Sequence, residues 1–81
     1  MRLPRDLGSA DLEKALRKAF GYQFTRQTGS HRRLTTHTGG IHHLTIPAHD
    51  PLKPGTLRAI LGEVATHHTL TLDELYQRLQ L

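Results

Sequence analysis

The stretch Gly29-Ser30-His31-Arg32-Arg33 sets one imidazole and two guanidiniums directly after a glycine turn. An imidazole titrates near neutrality, so it can give or take a proton at physiological pH. A guanidinium is a permanent cation whose planar fork matches phosphate oxygens. The surrounding sequence supports the same chemistry. No Asp or Glu lies between Glu13 and Asp50, whereas that interval holds Lys14, Arg17, Lys18, Arg26, Arg32 and Arg33, together with His31, His37, His42, His43 and His49. A segment free of acid and rich in arginine suits a polyanion, and histidine within it suits RNA chemistry. Metal-free RNA cleavage runs by attack of the 2′-OH on its own phosphate. It needs a base for that hydroxyl, an acid for the departing 5′-oxygen and cations on the phosphoryl oxygens. On this reading His31 is the acid or base and Arg33 a phosphate clamp. The plainer reading of His31 is a solvent-exposed histidine at a hairpin.

The elements that must position these residues fit in one small domain, residues 1–81. A chain of this size buries only about 60% of its unfolded surface, so its core is thin. It has no cysteine, which excludes a disulfide framework and a thiolate metal site and fits a reducing cytoplasm. No apolar run approaches a membrane span. The net charge of +4 and the pI near 10.1 favour nucleic acid or an acidic partner.

Residues 1–8 read as a lead-in, with Pro4 and Gly8 as breakers. Ser9 is placed as a helix N-cap with Asp11 in the first turn. Leu12, Ala15, Leu16, Ala19 and Phe20 then form one helical stripe, closed by Gly21. From Tyr22 the period becomes two. A strand through Phe24 leads to a turn at Thr28-Gly29-Ser30. A second strand covers His31 to His37, a turn Thr38 to Gly40, and a third strand Ile41 to Ile46, which Pro47 stops. Pro54 suits the first turn of a second helix with Leu57, Ile60, Leu61 and Val64 on its inner face, broken at Thr66 to Thr69. Thr71 to Glu74 is a capping box, with Leu70 and Leu75 placed for a staple, opening a third helix with Leu72, Leu75, Tyr76 and Leu79 inward.

Parity assigns the faces. Phe24, Leu34, Leu44 and Ile46 must share the covered face, because residues two apart on a strand point the same way. If Phe24 opposes Leu34, Gln27 opposes His31 across a three-residue loop. In the second hairpin a two-residue Gly39-Gly40 turn would pair Leu34 with Thr45. A three-residue loop restores Leu34 opposite Leu44 or Ile46, with glycine in a left-handed bulge position. The uncovered face then carries His31, Arg33, Thr35, His37 and His43, and Arg32 points the other way. The order helix, three-stranded antiparallel meander, helix, C-terminal helix predicts an α+β layer similar to the double-stranded-RNA-binding-domain fold.

Three segments, in this order and spacing, carry a family resemblance: Arg26-Gln27-Thr28-Gly29-Ser30-His31, Leu44-Thr45-Ile46-Pro47-Ala48-His49, and Leu52-Lys53-Pro54-Gly55-Thr56-Leu57-Arg58-Ala59-Ile60-Leu61. They resemble the HicA (YcfA-like) mRNA interferase toxins of toxin–antitoxin pairs. The resemblance implies a double-stranded-RNA-binding-like fold, metal-independent cleavage of mRNA without a cofactor, and a HicB-type antitoxin that masks the active site. It also implies a monomer when free, or a heteromeric complex with the antitoxin. The histidine of the family's Gly-Ser-His motif corresponds to His31. The helix from Thr71 is an extension that short members lack.

One histidine does not supply both proton transfers. His43, on the same face, and His49, after Pro47, are candidates for the second; each also reads as a phosphate contact or an inert loop residue. Ser30, Arg32, Arg33, Lys53 and Arg58 complete the candidate RNA contacts, Lys53 and Arg58 because they flank a helix N-terminus that could hold phosphate. A solvated surface is the plainer reading for the last two. His42 and His43 alternate faces and cannot chelate one ion from one side, and no Cys or acid ligand accompanies the histidines, so no metal is expected. Phe20, Tyr22 and Phe24 read as core, which leaves backbone contacts to dominate RNA affinity. The alternative function is a small RNA-binding module with no chemistry, which the fold alone would permit.

Overall fold

A computed structural model describes residues 6–81, so the Pro4 breaker of the expected lead-in lies outside the described residues. The elements are α1 (Ser9–Phe20), β1 (Gln23–Thr28), β2 (His31–Thr36), β3 (His42–Pro47), α2 (Pro54–His68) and α3 (Leu72–Leu79). The strands form one antiparallel sheet in the order β1-β2-β3. This is the expected α+β arrangement, consistent with a double-stranded-RNA-binding-like fold. Among the described residues no helix is long and apolar enough to cross a membrane.

The core lies between the helices and one sheet face. Leu12, Leu16 and Phe20 of α1, Leu57, Ile60, Leu61 and Val64 of α2, and Leu75 and Leu79 of α3 are buried with Leu34, Leu44 and Ile46 of the sheet. The three helical stripes therefore do what their periods predict, and burial of these faces supplies most of the helices' stability. Leu72 is the exception on α3 and stays exposed.

Several local expectations change. The N-cap of α1 is Gly8, with no side-chain cap, and Ser9 is the first helical residue. Its amide is capped instead by a loop: Ser9 N–H donates to the His49 carbonyl at 2.9 Å. A side chain at Gly8 would begin 2.7 Å from Asp50 Oδ1, so the chain here approaches the same loop closely. Helix α2 continues past Thr66 to His68 and ends at Thr69 in the left-handed region. Gly21 closes α1, and the Thr71–Glu74 capping box is formed in both directions.

The sheet register also departs in one place. Phe24 opposes Leu34 as expected, but Thr25 is bulged out, so Gln27 opposes Arg32 and Thr28 opposes His31. The hairpin loop is thus the two residues Gly29-Ser30, with Gly29 at φ 58°, which glycine adopts without a Cβ penalty. Leu34 opposes Leu44 in the second hairpin, but the ladder ends at Thr36–His42, one pair short of a three-residue loop. Residues 37–41 make the turn, with Gly39 and Gly40 both at positive φ. Phe24 is not core. It lies on the edge strand, 47% exposed, with the Arg32 guanidinium 4.1 Å from its ring centroid; buried Tyr22 fills the aromatic position instead.

Candidate nucleic-acid interface

His31 opens β2 immediately after the Gly29-Ser30 turn and is exposed. It pairs with Thr28 on one side and Pro47 on the other. The Ala48 amide extends this pairing by donating to the Ser30 carbonyl at 2.6 Å. The next residue is tied twice, since His49 N–H donates to the Pro47 carbonyl and its own carbonyl accepts from Ser9, both at 2.9 Å. Backbone bonds thus connect the His31 hairpin, the loop carrying His49 and the start of α1.

Arg33 follows His31 by two residues on β2, so both belong to the sheet face away from the helices. His43 shares that face. It pairs with Thr35, whose hydroxyl lies 2.9 Å from His43 Nδ1 and orients the ring. Thr35 stands four residues beyond His31, about 13 Å along the strand at roughly 3.3 Å per residue. His31 and His43 therefore cannot serve one phosphate together, and the structure brings the Ala48–His49 loop to His31 instead.

Arg32 points to the helix side, as parity predicts. Its Nε and Nη2 donate to the two carboxylate oxygens of Glu13 at 2.8 and 2.9 Å, and Nη1 donates to Gln27 Oε1 at 3.0 Å. Glu13 is itself largely buried, and its hydrogen bonds to Arg32 raise the guanidinium's pKa. Such a fork-to-fork pair fixes orientation as well as charge. It fastens the hairpin that carries His31 to α1 and keeps Arg32 off the uncovered face. Lys53 is the exposed N-cap of α2. Arg58 lies on α2 near Tyr76, where its charge opposes the rise that burial gives the phenol's pKa. Neither belongs to the sheet face that carries His31 and Arg33.

At the far end of the sheet a second group of histidines packs inward. The Tyr22 hydroxyl lies 2.8 Å from His42 Nδ1 and 3.1 Å from His68 Nε2. A hydroxyl has one proton to donate, so with both bonds made one ring accepts it and the other donates N–H. His68 stacks on Phe20 at 4.2 Å between centroids, and His42 stacks on His67 at 4.5 Å. His67 Nε2 stands 3.1 Å from the carbonyls of both Thr38 and Gly40, which can only accept, so it donates to the β2–β3 turn. Burial is the main cause that lowers the pKa of His42 and of His68, and neighbouring histidines add to it. Burial, with the Glu63 charge, pushes the Tyr22 phenol up to about 12. Among the described residues no group of three or more His, Cys, Asp or Glu could hold a metal.

The sequence carried part of this cluster. His68 falls four residues after Val64, on the continuation of the apolar stripe, and His42 has the parity of the covered face. The Glu13–Arg32 pair had a weaker signal, an acid beside Leu12 at the edge of the first stripe.

With this geometry in place, comparison with family models gives a match to the HicA toxin of bacterial toxin–antitoxin systems over residues 9–65. The match runs from the first residue of α1 into the last turns of α2, and so includes His31, the bulge and the whole sheet. Comparisons with curated proteins and with solved structures find no match.

Proposed function

Since the chain belongs to the HicA family of toxins from toxin–antitoxin pairs, we propose that it is an endoribonuclease that cuts mRNA without a metal, with His31 as the general acid or base. The observation that carries this reading is an exposed His31 on the helix-free face, two residues from Arg33. In the proposed reaction the RNA 2′-oxygen bonds to the adjacent phosphorus as the bond to the 5′-oxygen breaks. The 2′-proton goes to a base, and an acid protonates the leaving 5′-oxygen. Arg33 stabilises the charge on the phosphoryl oxygens.

His49 is the proposed second proton-transfer group, because its loop is hydrogen-bonded to the turn that precedes His31. Ser30 contributes through the backbone, its carbonyl fixing that loop. His43, with its Nδ1 held by Thr35, and Lys53 are proposed to meet more distant phosphates, in keeping with salt-sensitive, sequence-tolerant binding. Arg32 is proposed to act by positioning the hairpin, and Arg58 to lie at the margin of any RNA path. The antitoxin partner is proposed to be of the HicB type, covering the face that holds His31.

The test uses purified protein, labelled RNA and a chelator, beside His31→Ala. Cleavage by the parent protein alone, together with growth arrest on expression that co-expression of the adjacent gene relieves, is the expected result. Equal cleavage by both proteins, or cleavage only with added metal, overturns the mechanism. RNA binding with no cleavage by either leaves the chain as a binding module.

A further inference from the structure

The bulge at Thr25 decides where Arg26 points. Had the ladder continued regularly from Phe24–Leu34, Arg26 would oppose Arg32 and face the helices. With Thr25 left over, Arg26 opposes Arg33 instead and joins it on the uncovered face. The Thr25 hydroxyl donates to the Arg33 carbonyl at 2.9 Å and so ties the extra residue to the neighbouring strand.

This pairing works against stability, because like charges directly opposite each other on adjacent strands repel. Among the described residues neither takes part in a salt bridge. The one ion pair among the described residues uses Arg32 and Glu13, and the chain contains no acid from Lys14 to His49. An unpaired cross-strand arginine couple, produced by a local register change, has the charge and the geometry for an anion. Two guanidinium forks on neighbouring strands can take the oxygens of successive phosphates. Arg33 stands two residues from His31, about 7 Å along the strand, so with Arg33 on the scissile phosphate the one that Arg26 takes lies beside the bond that His31 would cut.

We propose that Arg26 clamps the RNA phosphodiester flanking the scissile one, next to the scissile phosphate held by Arg33, and that Arg26 is a binding residue supplied to the site by the bulge. This rests on the nuclease reading and adds to it a requirement for substrate beyond the cleaved dinucleotide step. Arg26 touches no reacting atom, so its loss weakens binding and leaves the maximal rate unchanged.

The experiment measures the affinity of a single-stranded 2′-O-methyl oligonucleotide, which cannot be cleaved, across a salt series for the parent protein, Arg26→Gln and Arg26→Lys. Arg26→Gln is expected to weaken binding about tenfold at low salt and to reduce the log–log salt slope by about 0.7, the value of one phosphate contact on a single strand. Arg26→Lys keeps the slope. Thermal melting supplies the structural control: removing the repulsion leaves Arg26→Gln as stable as the parent or more so. An unchanged affinity and slope for Arg26→Gln overturns the clamp while the nuclease reading stands, and so does a lowered melting temperature with unchanged affinity. Loss of capture by the co-expressed antitoxin with RNA affinity intact would make the couple a protein contact and likewise overturn the clamp. A parent protein that does not bind the oligonucleotide defeats the nuclease reading itself, and the clamp with it.

Discussion

The two ends of the sheet use the same side chain in opposite ways. At the β1–β2 turn His31 is exposed, precedes two arginines and has its backbone fixed on both sides. At the β2–β3 turn His42, His67 and His68 are partly buried, stacked and hydrogen-bonded to Tyr22 and to turn carbonyls. A histidine that is partly buried, stacked on another ring and held through one nitrogen has less to offer a substrate than an exposed one. It can still anchor a helix end, as His67 does by joining α2 to the turn and His68 by joining it to Tyr22 and Phe20. Histidine count alone is therefore a poor guide to a site; what distinguishes the two ends is which rings keep a free edge.

The sharpest way to break this contrast is to exchange the consequences of mutation between the ends. His31→Ala should lower RNA cleavage by about 10²- to 10⁴-fold, the usual contribution of a positioned acid or base. Its melting temperature should stay near that of the parent, because exposed side chains away from caps and cores contribute little to stability. Activity retained, or stability lost, would put His31 in the same class as the inward cluster.

Tyr22→Phe tests the opposite end. It conserves shape and removes the hydroxyl that two imidazoles share, leaving partly buried ring nitrogens unpaired. The expected cost is about 1–3 kcal/mol, read by denaturant or thermal unfolding. Cleavage per folded molecule should be unaltered, because the residue lies among the core groups and the His42 end of the sheet. A large loss of cleavage with full stability would instead connect this cluster to the reaction.

A third substitution marks what neither end controls. Thr71→Ala removes the hydroxyl that accepts the Glu74 amide and half of the capping box. A loss of about 1 kcal/mol is expected, with no change in RNA cleavage. Loss of cleavage in proportion to α3 unfolding would show that the C-terminal helix supports the site.

How far each end was legible follows from physical scale. The helical stripes, the Gly21 stop, the Thr71 capping box and the Phe24–Leu34 and Leu34–Leu44 pairings follow from periodicity and local chemistry, and all are present. The Gly29 turn and the exposed His31 could be read for the same reason. The Thr25 bulge could not, because a single extra residue leaves both flanking patterns intact while moving every later side chain on β1 to a new partner. Cap choice at α1 was equally hidden: the His49 carbonyl that receives the Ser9 amide comes from forty residues downstream, so tertiary structure displaced the local signal of serine. Phe24 failed as core because parity gives the face but not the distance from the sheet's edge.

The smallest expected effect is the pH dependence of stability. Burial lowers the pKa of both His42 and His68, and the groups facing them set the remainder: His67 lowers both, His43 adds to the fall at His42 while Glu63 opposes it, and Arg78 adds to the fall at His68. The fold thus favours the neutral form of these rings, and at these two sites the unfolded chain binds more protons than the native one wherever the two states differ. Stability then rises with pH in that window. It is fully present above the ordinary histidine value of 6.5 and is lost as the pH falls through the lowered native values. Melting curves at about pH 7.5 and about pH 5 should show the decline. In His68→Phe, where an aromatic ring can still stack on Phe20 but cannot titrate, the decline should be shallower than in the parent. A decline of the same size in that variant would assign the pH response to groups outside the inward cluster and remove the electrostatic half of the contrast between the two ends.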